Sequence, residues 1–501
     1  MFVRKKKNRS GSTSIQIIKK INRSNKVIKT IGSSCDPDEI NRLFQQGLYE
    51  LPRLFGSTLF DDINPPEIGQ LSNDNIRVVG PELVFGKIFH HIGFSVINDS
   101  LFKDLCISRI THPGSKLQLS KYLLENSREC ISEDRIYYFM DRLQTKYKSK
   151  VEEISFNYTR KVLGGKIGVV FYDMTTIYFE SDQGDEFRVT GFSKEGKHQN
   201  PQIYLGLLVG KNGYPIGYDV FEGSIYEGHT LIPVLERFEK RFNLQKPIVV
   251  ADAGLLSSDN ITALKEKQYC FILGARIKNE SANIKKYIRS FDLTDGQIEK
   301  IIKEDNTTLF ISYSQQRAKK DAHNREKGLK RLEKSLKAGR LTKSNINNRG
   351  YNKYLKLEGE IKIKIDYQKF ENDQKWDGLK GYLTNTNLTG KEVIENYNNL
   401  WMIEKAFRIS KTDLKIRPIY HRLKERIEAH ICISFVSYLL YKEFDRALNE
   451  KRTGISVNQA IKQINKMHEV VFQYSNGNIQ RILLKNNPVQ EQIMETINSF
   501  F

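Results

Sequence analysis

The runs KIGVVFYDMTTIYFE (166–180) and IYLGLLVGKNGYPIGYDVFEG (203–223) constrain the fold more than any other part of the chain. Their β-branched and aromatic residues favour strands. Asn212-Gly213 divides the second run into two apolar halves, as a two-residue hairpin turn does. Three consecutive antiparallel strands are therefore expected. Next, HTLIPVLERFEKRF (229–242) spaces its apolar residues by three and four, which predicts a helix. KPIVVADAGLLSSDNITALKEKQYCFILGAR (246–276) then reads as strand, loop, helix and strand, with Ser257, Ser258 and Asp259 as N-cap candidates. An antiparallel meander followed by alternating helices and strands packs as a mixed α/β sheet.

Three acids in this frame need an explanation. Period-two alternation puts Asp173 on one strand face with Val169, Phe171, Thr175 and Ile177. An ionised carboxylate withdrawn from water costs several kcal/mol unless it is paired or holds a cation. The competing reading is a sheet edge, where Asp173 reaches solvent or accepts hydrogen bonds from Thr175 or Thr176. Asp252 ends the apolar run PIVVAD, so it falls at the carboxyl end of an inner strand, where clefts of open α/β sheets form. There the competing reading is a cap on the following turn.

The third acid lies in ENYNNLWMIEKAFRISKTDLKIRPIYH (395–421). Read as one helix, this segment has a buried stripe of Leu400, Ile403 and Phe407, bounded by Trp401, with Tyr397, Glu404, Arg408 and Lys411 in the same inward arc. The competing reading is a surface pair between Glu404 and Arg408, worth a few tenths of a kcal/mol. Two strand aspartates and a helix glutamate offer hard oxygen ligands suited to Mg²⁺. Two such ions about 4 Å apart activate a water or a 3′-hydroxyl and stabilise the leaving oxygen at phosphorus. Tyr397, Arg408 and Lys411 would then hold the phosphate backbone.

Composition agrees with a polyanionic partner. Lys and Arg number 80 against 59 Asp and Glu, for a formal net charge of +21. With 39% hydrophobic residues the chain can build more than one core. No stretch of about 18 apolar residues would span a bilayer, and the opening MFVRKKKNRSGSTS lacks a secretory h-region, so no membrane role and a bacterial cytoplasmic, nucleoid-associated location are expected. Cys35, Cys106, Cys130, Cys270 and Cys432 are scattered without metal spacing, and each reads as a small core residue in a reducing compartment.

FYDMTTIYFE, VVADAGLLSSDNI, GYLTNTNLTGKEVIENYNNLWMIEKAFRISKTDLKIRPIYH and ERIEAHICISFVSYLL together resemble the DDE transposases of the insertion-sequence 4 superfamily, most nearly the insertion-sequence 1634 type, from about residue 80 to about residue 445. The resemblance implies an RNase H-like core, a β-rich insertion between the second aspartate and the glutamate, and a catalytic triad of Asp173, Asp252 and Glu404. It also implies Mg²⁺-dependent cleavage and strand transfer at terminal inverted repeats, with Mn²⁺ able to substitute. The family's helix motif (Tyr, two residues, Arg, three residues, Glu, six residues, Lys) falls on Tyr397, Leu400, Glu404 and Lys411. Leu400 replaces the arginine, and Arg408, one turn after Glu404, offers a cation in its place.

The expected architecture is an RNase H-like mixed-sheet core with a β-rich insertion, preceded by a helical N-terminal DNA-binding region. Its layout is a basic hairpin and linker over 1–79, a helical DNA-binding region over 80–165, core over 166–276, insertion over 277–388, core again over 389–445, and a helical C-terminal region over 446–501. The basic helix from Gln315 to Arg340 can lie along phosphates or be a solvated charged face. YLKLEGEIKIKIDYQKF (354–370) alternates like one exposed strand. Arg417 and His421 are candidates for positioning DNA. Lys194, Lys197 and His198 belong either to a channel border or to a solvated loop, whereas His90, His91, His112 and His430 read as structural. The partners are double-stranded DNA, both terminal repeats and target, with a homodimer in the synaptic complex. Two rival functions are an RNase H-like nuclease without strand transfer and a transposon-derived regulator that only binds DNA.

Overall fold

The computed structural model describes residues 2–21, 24–53, 75–127, 130–181, 183–193, 196–243, 245–347, 350–358, 362–473 and 479–501. At the start, β1 (Phe2–Lys7), β2 (Thr13–Ile21) and β3 (Ser24–Ser34) form an antiparallel sheet in that order, with α1 (Pro37–Arg53) on it. The expected hairpin is thus two strands of a three-stranded sheet, and the helix is an addition. A register shift between Ile17 and Ile18 lets both consecutive isoleucines turn inward, which strict alternation forbids. The segment 54–74, part of the expected linker, lies outside the described residues.

After β4 (Ile76–Val78) come α2 (Lys87–Ile92), α3 (Ser100–Thr111), α4 (Lys116–Ser127), α5 (Glu133–Arg142) and α6 (Lys148–Val162). The Asp99 side chain caps α3 by accepting from the Leu101 amide, and Ser132 caps α5 by accepting from the Arg135 amide. The segment expected to be helical over 80–165 is thus a run of short helices.

The core follows with β5 (Val169–Tyr178), β6 (Gln202–Val209), β7 (Pro215–Glu222), α7 (Leu231–Phe242), β8 (Ile248–Ala251), α8 (Ser258–Glu266) and β9 (Phe271–Ala275). Asn212 and Gly213 both take positive φ between β6 and β7, as the hairpin reading requires, and Ser257 caps α8. β5, β6 and β7 run antiparallel, whereas β8 pairs parallel with β5 and β9 parallel with β8. The resulting order β9-β8-β5-β6-β7 is that of an RNase H-like sheet.

The segment expected as an insertion contains α9 (Ala282–Ile288), β10 (Ile298–Ile302), β11 (Thr308–Tyr313), α10 (Gln315–Lys337), β12 (Leu355–Glu358), β13 (Lys362–Ile365), α11 (Tyr367–Gln374) and β14 (Leu379–Thr384). β14, β11 and β10 continue the core sheet beyond β9, making eight strands in all. What stands off the sheet is α10, the β12-β13 hairpin and α11, gathered on a small core of Leu332, Tyr354, Leu355 and Ile365. The stretch expected as one exposed strand is this hairpin and helix, because the chain reverses within it.

α12 (Gly390–Asn398), α13 (Trp401–Thr412) and α14 (Lys424–Glu450) cover one sheet face. α14 is buried almost all round from Ile427 to Leu448 and packs on the N-terminal helices. α15 (Val457–Ile464), β15 (His468–Gln473), β16 (Ile479–Leu483) and α16 (Pro488–Phe500) end the described chain. The C-terminal region is therefore not purely helical. β15 pairs with β16 on one side and with β4 on the other, a partner far away in sequence that local periodicity cannot reveal.

The cysteine expectation needs correction. Cys35 and Cys130 form a disulfide with Cα atoms 6.0 Å apart, and Cys270 is exposed; only Cys106 and Cys432 are buried thiols. The bonded pair is 95 residues apart, so no short spacing marks it. Among the described residues no helix is long and apolar enough to cross a membrane.

Candidate active site

Strand register brings the two aspartates together. Tyr172 is aligned with Ala251 in the parallel β5-β8 pair, so the next residues, Asp173 and Asp252, lie side by side on one face, about 4.8 Å apart in strand spacing. Asp173 is on an inner strand between β8 and β6, aligned with Leu207, so the sheet-edge reading of this residue does not hold. The Asp173 side chain accepts a hydrogen bond from the Met174 amide at 2.7 Å, and that of Asp252 accepts from the Gly254 amide at 2.8 Å. The turn-capping role of Asp252 is real, and the residue is half-buried.

The row continues across the sheet. Ala251 aligns with Leu273, which sets Gly274 beside Asp252, and Gly274 aligns with Tyr382 on β14. A Cβ at Gly274 would lie 2.4 Å from Oη of Tyr397, so the missing side chain admits the phenol beside Asp252. The Tyr397 ring packs edge-on against Tyr382 with centroids 5.0 Å apart. Burial, and then the charge of Asp252, pushes its pKa up to about 12, keeping it a protonated donor.

The helical segment differs from the single helix expected. Asn399 and Leu400 break it into α12 and α13, so Tyr397 precedes the break and Glu404, Arg408 and Lys411 follow it. Leu400, Ile403, Ala406 and Phe407 are buried, while Trp401 is 53% exposed rather than bounding a buried stripe. Glu404 and Arg408 are also exposed, on the flank of α13, and among the described residues no ion pair joins them. Lys411 donates from Nζ to Oγ1 of Thr175 at 2.6 Å, two residues beyond Asp173 on the same face. The electrostatic influence of Glu404 reaches Tyr397 and Lys380.

The two aspartates thus lie in register on one face, and Glu404 stands exposed on α13, within electrostatic reach of Tyr397, the phenol beside Asp252. Among the described residues no three His, Cys, Asp or Glu side chains are gathered closely enough to share a metal ion. The donor set itself, carboxylate oxygens only, is the kind that hard divalent cations take.

Arg417 stands 5.3 Å over the Tyr178 ring, and Lys197 5.7 Å over the same ring, at the far end of β5. His198 accepts from the Ser193 amide at 3.1 Å; Lys194 lies outside the described residues. His421 is buried, edge-on to Tyr137 and His430. Burial, then the charges of Lys116, Arg109 and Arg426, pushes its pKa down to about 3, so it is neutral. Gly274, Tyr382 and Lys380 also border the site and were not singled out in the sequence, whereas Arg317 belongs to the basic helix read as able to lie along phosphates. The sequence signal for Tyr382 is the alternation of GYLT, too weak without the strand partner.

A protein-family model described as "Transposase DDE domain" matches residues 164–440. Among solved structures, a piggyBac transposase synaptic complex with hairpin DNA aligns at 9% identity over 87% of this chain and 83% of that one, with a TM-score of 0.39. A Mos1 transposase paired-end complex with the left transposon end aligns at 11% identity over 47% of this chain and 66% of that one, with a TM-score of 0.16. No curated protein matches.

Proposed function

This chain belongs to the transposase DDE domain family, and from that premise we propose that it is the transposase of an insertion sequence, of the insertion-sequence 4 superfamily and the 1634 type. It binds the element's terminal inverted repeats, cuts there and transfers the freed 3′ end to target DNA. The observation that carries this reading is the register of Asp173 and Asp252 on the sheet face covered by the helix of Glu404. Asp173, Asp252 and Glu404 are the residues that would hold the metal, Mg²⁺ with Mn²⁺ as a substitute. When bound, a pair of such ions supplies Lewis-acid activation of the attacking hydroxyl and stabilises the leaving oxygen.

The protein's own groups do the positioning. Tyr397 presents a protonated phenol beside Asp252, where it can donate to a phosphate oxygen. Lys411 and Arg408 line the α13 side, and Arg417 holds the strand farther along β5. Because both ends of an element must be joined, the working form is a homodimer on DNA.

The test is cleavage and joining of a labelled duplex carrying the terminal repeat, taken from the DNA flanking the gene, with Mg²⁺. Wild type should nick at the repeat boundary and yield joined product. Asp173→Ala, Asp252→Ala and Glu404→Ala should each reduce both steps by at least about 10³-fold, an order set by loss of transition-state stabilisation of about 4 kcal/mol. Wild-type cleavage in any of the three sinks its assignment. Cleavage without joined product would instead favour the nuclease.

A further inference from the structure

Two cavities border β14, and Arg317 and Lys380 line both. The first, about 470 Å³, lies between the sheet and the excursion of α10 and α11. Three of its cations are matched by acids: Arg325 donates to both carboxylate oxygens of Asp377, Lys278 reaches Asp373 at 2.6 Å, and Lys353 reaches Asp373 at 2.5 Å, while Arg276, Arg317 and Lys380 line it as well. The second, about 530 Å³, lies on the catalytic face next to α12 and includes Ser312, Arg317, Lys380, Tyr382, Lys391 and one carboxylate, Glu395.

Of the lining cations that no acid pairs among the described residues, Arg276 and Lys391 are exposed and Lys380 is half-buried. It stands on β14 two residues before Tyr382, hence on the same face as the Asp173-Asp252-Gly274-Tyr382 row. Among the described residues it pairs with no carboxylate. Its ammonium group lies 4.4 Å over the Tyr397 ring and 5.2 Å over that of Tyr382. It is half-buried, and the charge of Arg317 opposes its own while that of Glu404 favours it to a smaller extent. Arg317 itself is 3.6 Å from Asp321 on its own helix and still borders both cavities. A partly desolvated cation beside a second cation is stabilised by an anion. Aromatic faces fix its position without neutralising its charge.

We propose that Lys380 and Arg317 form a seat for a backbone phosphate of DNA, on the side of the acidic row opposite Lys411. It rests on the reading that this protein acts on DNA. Lys411 contacts β5, and β5 and β14 are separated by three strand spacings through β8 and β9, about 14 Å or roughly four base-pair rises along a duplex. A strand crossing the aspartates is then gripped on both flanks, by α13 on one side and by β14 with α10 on the other. Two grips hold the phosphate between them in register with the acids, which one grip does not. A free nucleotide spans too little to use both.

The test uses the full chain and the terminal-repeat duplex without divalent metal, so binding is read apart from cleavage, over a series of salt concentrations. Lys380→Gln and Arg317→Gln should each flatten the log–log salt slope by about one unit and the double variant by about two. Lys380→Arg should restore the slope, which separates charge from fold. Lys240→Gln, on exposed α7 across the sheet, should leave it unchanged. If wild type binds and cleaves while both glutamine variants keep its full slope, the seat is wrong and the transposase reading stands. If wild type has no affinity for the duplex, both fall together.

Discussion

A methyl group at position 274 would stand 2.4 Å from Oη of Tyr397, 3.1 Å from its Cζ and 3.2 Å from the amide nitrogen of Ala253. The backbone on one side cannot yield, so the phenol must move away from Asp252. Overpacking of this kind costs about 1–3 kcal/mol. Gly274→Ala is therefore expected to lower the urea midpoint and to reduce DNA cleavage more than stability alone explains. Removing the hydroxyl takes away the nearest atom, so Tyr397→Phe in the Gly274→Ala background should recover part of the lost stability and none of the lost cleavage. Equal destabilisation by Gly274→Ala in the Tyr397 and Phe backgrounds would show that the phenol does not occupy this gap.

Where the segment after α13 enters α14, it lies over a buried group of positive charge. Arg109 donates to the Lys415 carbonyl at 3.3 Å and approaches Nδ1 of His430 at 3.4 Å; Lys116 is also buried, and Arg426 and Asp141 stand at the rim. His421 and His430 are neutral there, His430 with its pKa driven far down by burial and then by Arg109. On unfolding, His421 regains a pKa near 6.5, so the unfolded chain binds the extra proton and stability falls as pH drops from about 6.5 towards about 3. From pH 7 to pH 5 this one group should cost about 2 kcal/mol of stability. His421→Gln should lack that increment, read as a smaller shift of the urea midpoint between the two pH values; an identical shift in both proteins would refute the burial of a neutral imidazole. Neither the neutrality of His421 nor the cations around it can be read locally, because Arg109 and Lys116 come from helices some 300 residues earlier. By contrast, the shared face of Phe171 and Asp173, the turn at Asn212-Gly213 and the Ser257 cap follow from local period and turn chemistry, and all three hold. Glu404 is an intermediate case: helical spacing marks its element, but the residue is exposed, and no periodicity announces the break at Asn399 and Leu400 before it.

Across the whole molecule, the last described elements close the fold over its first helices. β15 pairs with β4, the Val79 amide donates to the Met467 carbonyl at 2.9 Å, and Asn465 donates to the Thr111 carbonyl at 3.0 Å. A Cβ on Gly80 would lie 2.0 Å from the Ile464 carbonyl oxygen, so the two backbones meet with no side chain between them. Phe500 receives Arg446 of α14 at 4.5 Å, and Phe501 meets His91 of α2 at 5.0 Å. Val457, Ile464, Met467, Ile493 and Ile497 are buried in this closure. At about 1.5–3 kcal/mol for each buried side chain they contribute on the order of 10 kcal/mol, as much as the whole net stability of a typical domain. The other end of the chain is built differently: α1 packs on its own sheet, Leu43 against Gly32 and Gly47 against Val3 and Ile15, and a disulfide, Cys35–Cys130, ties it to the helical region. Deleting 456–501 is therefore expected to abolish cooperative unfolding and soluble expression, although every candidate catalytic residue remains. Deleting 1–53 under reducing conditions should leave one cooperative transition within a few degrees of the full chain's. Calorimetry of the two truncated chains decides the matter: a cooperative transition in the chain lacking 456–501 would mean that the catalytic sheet and its helices are stable without this closure.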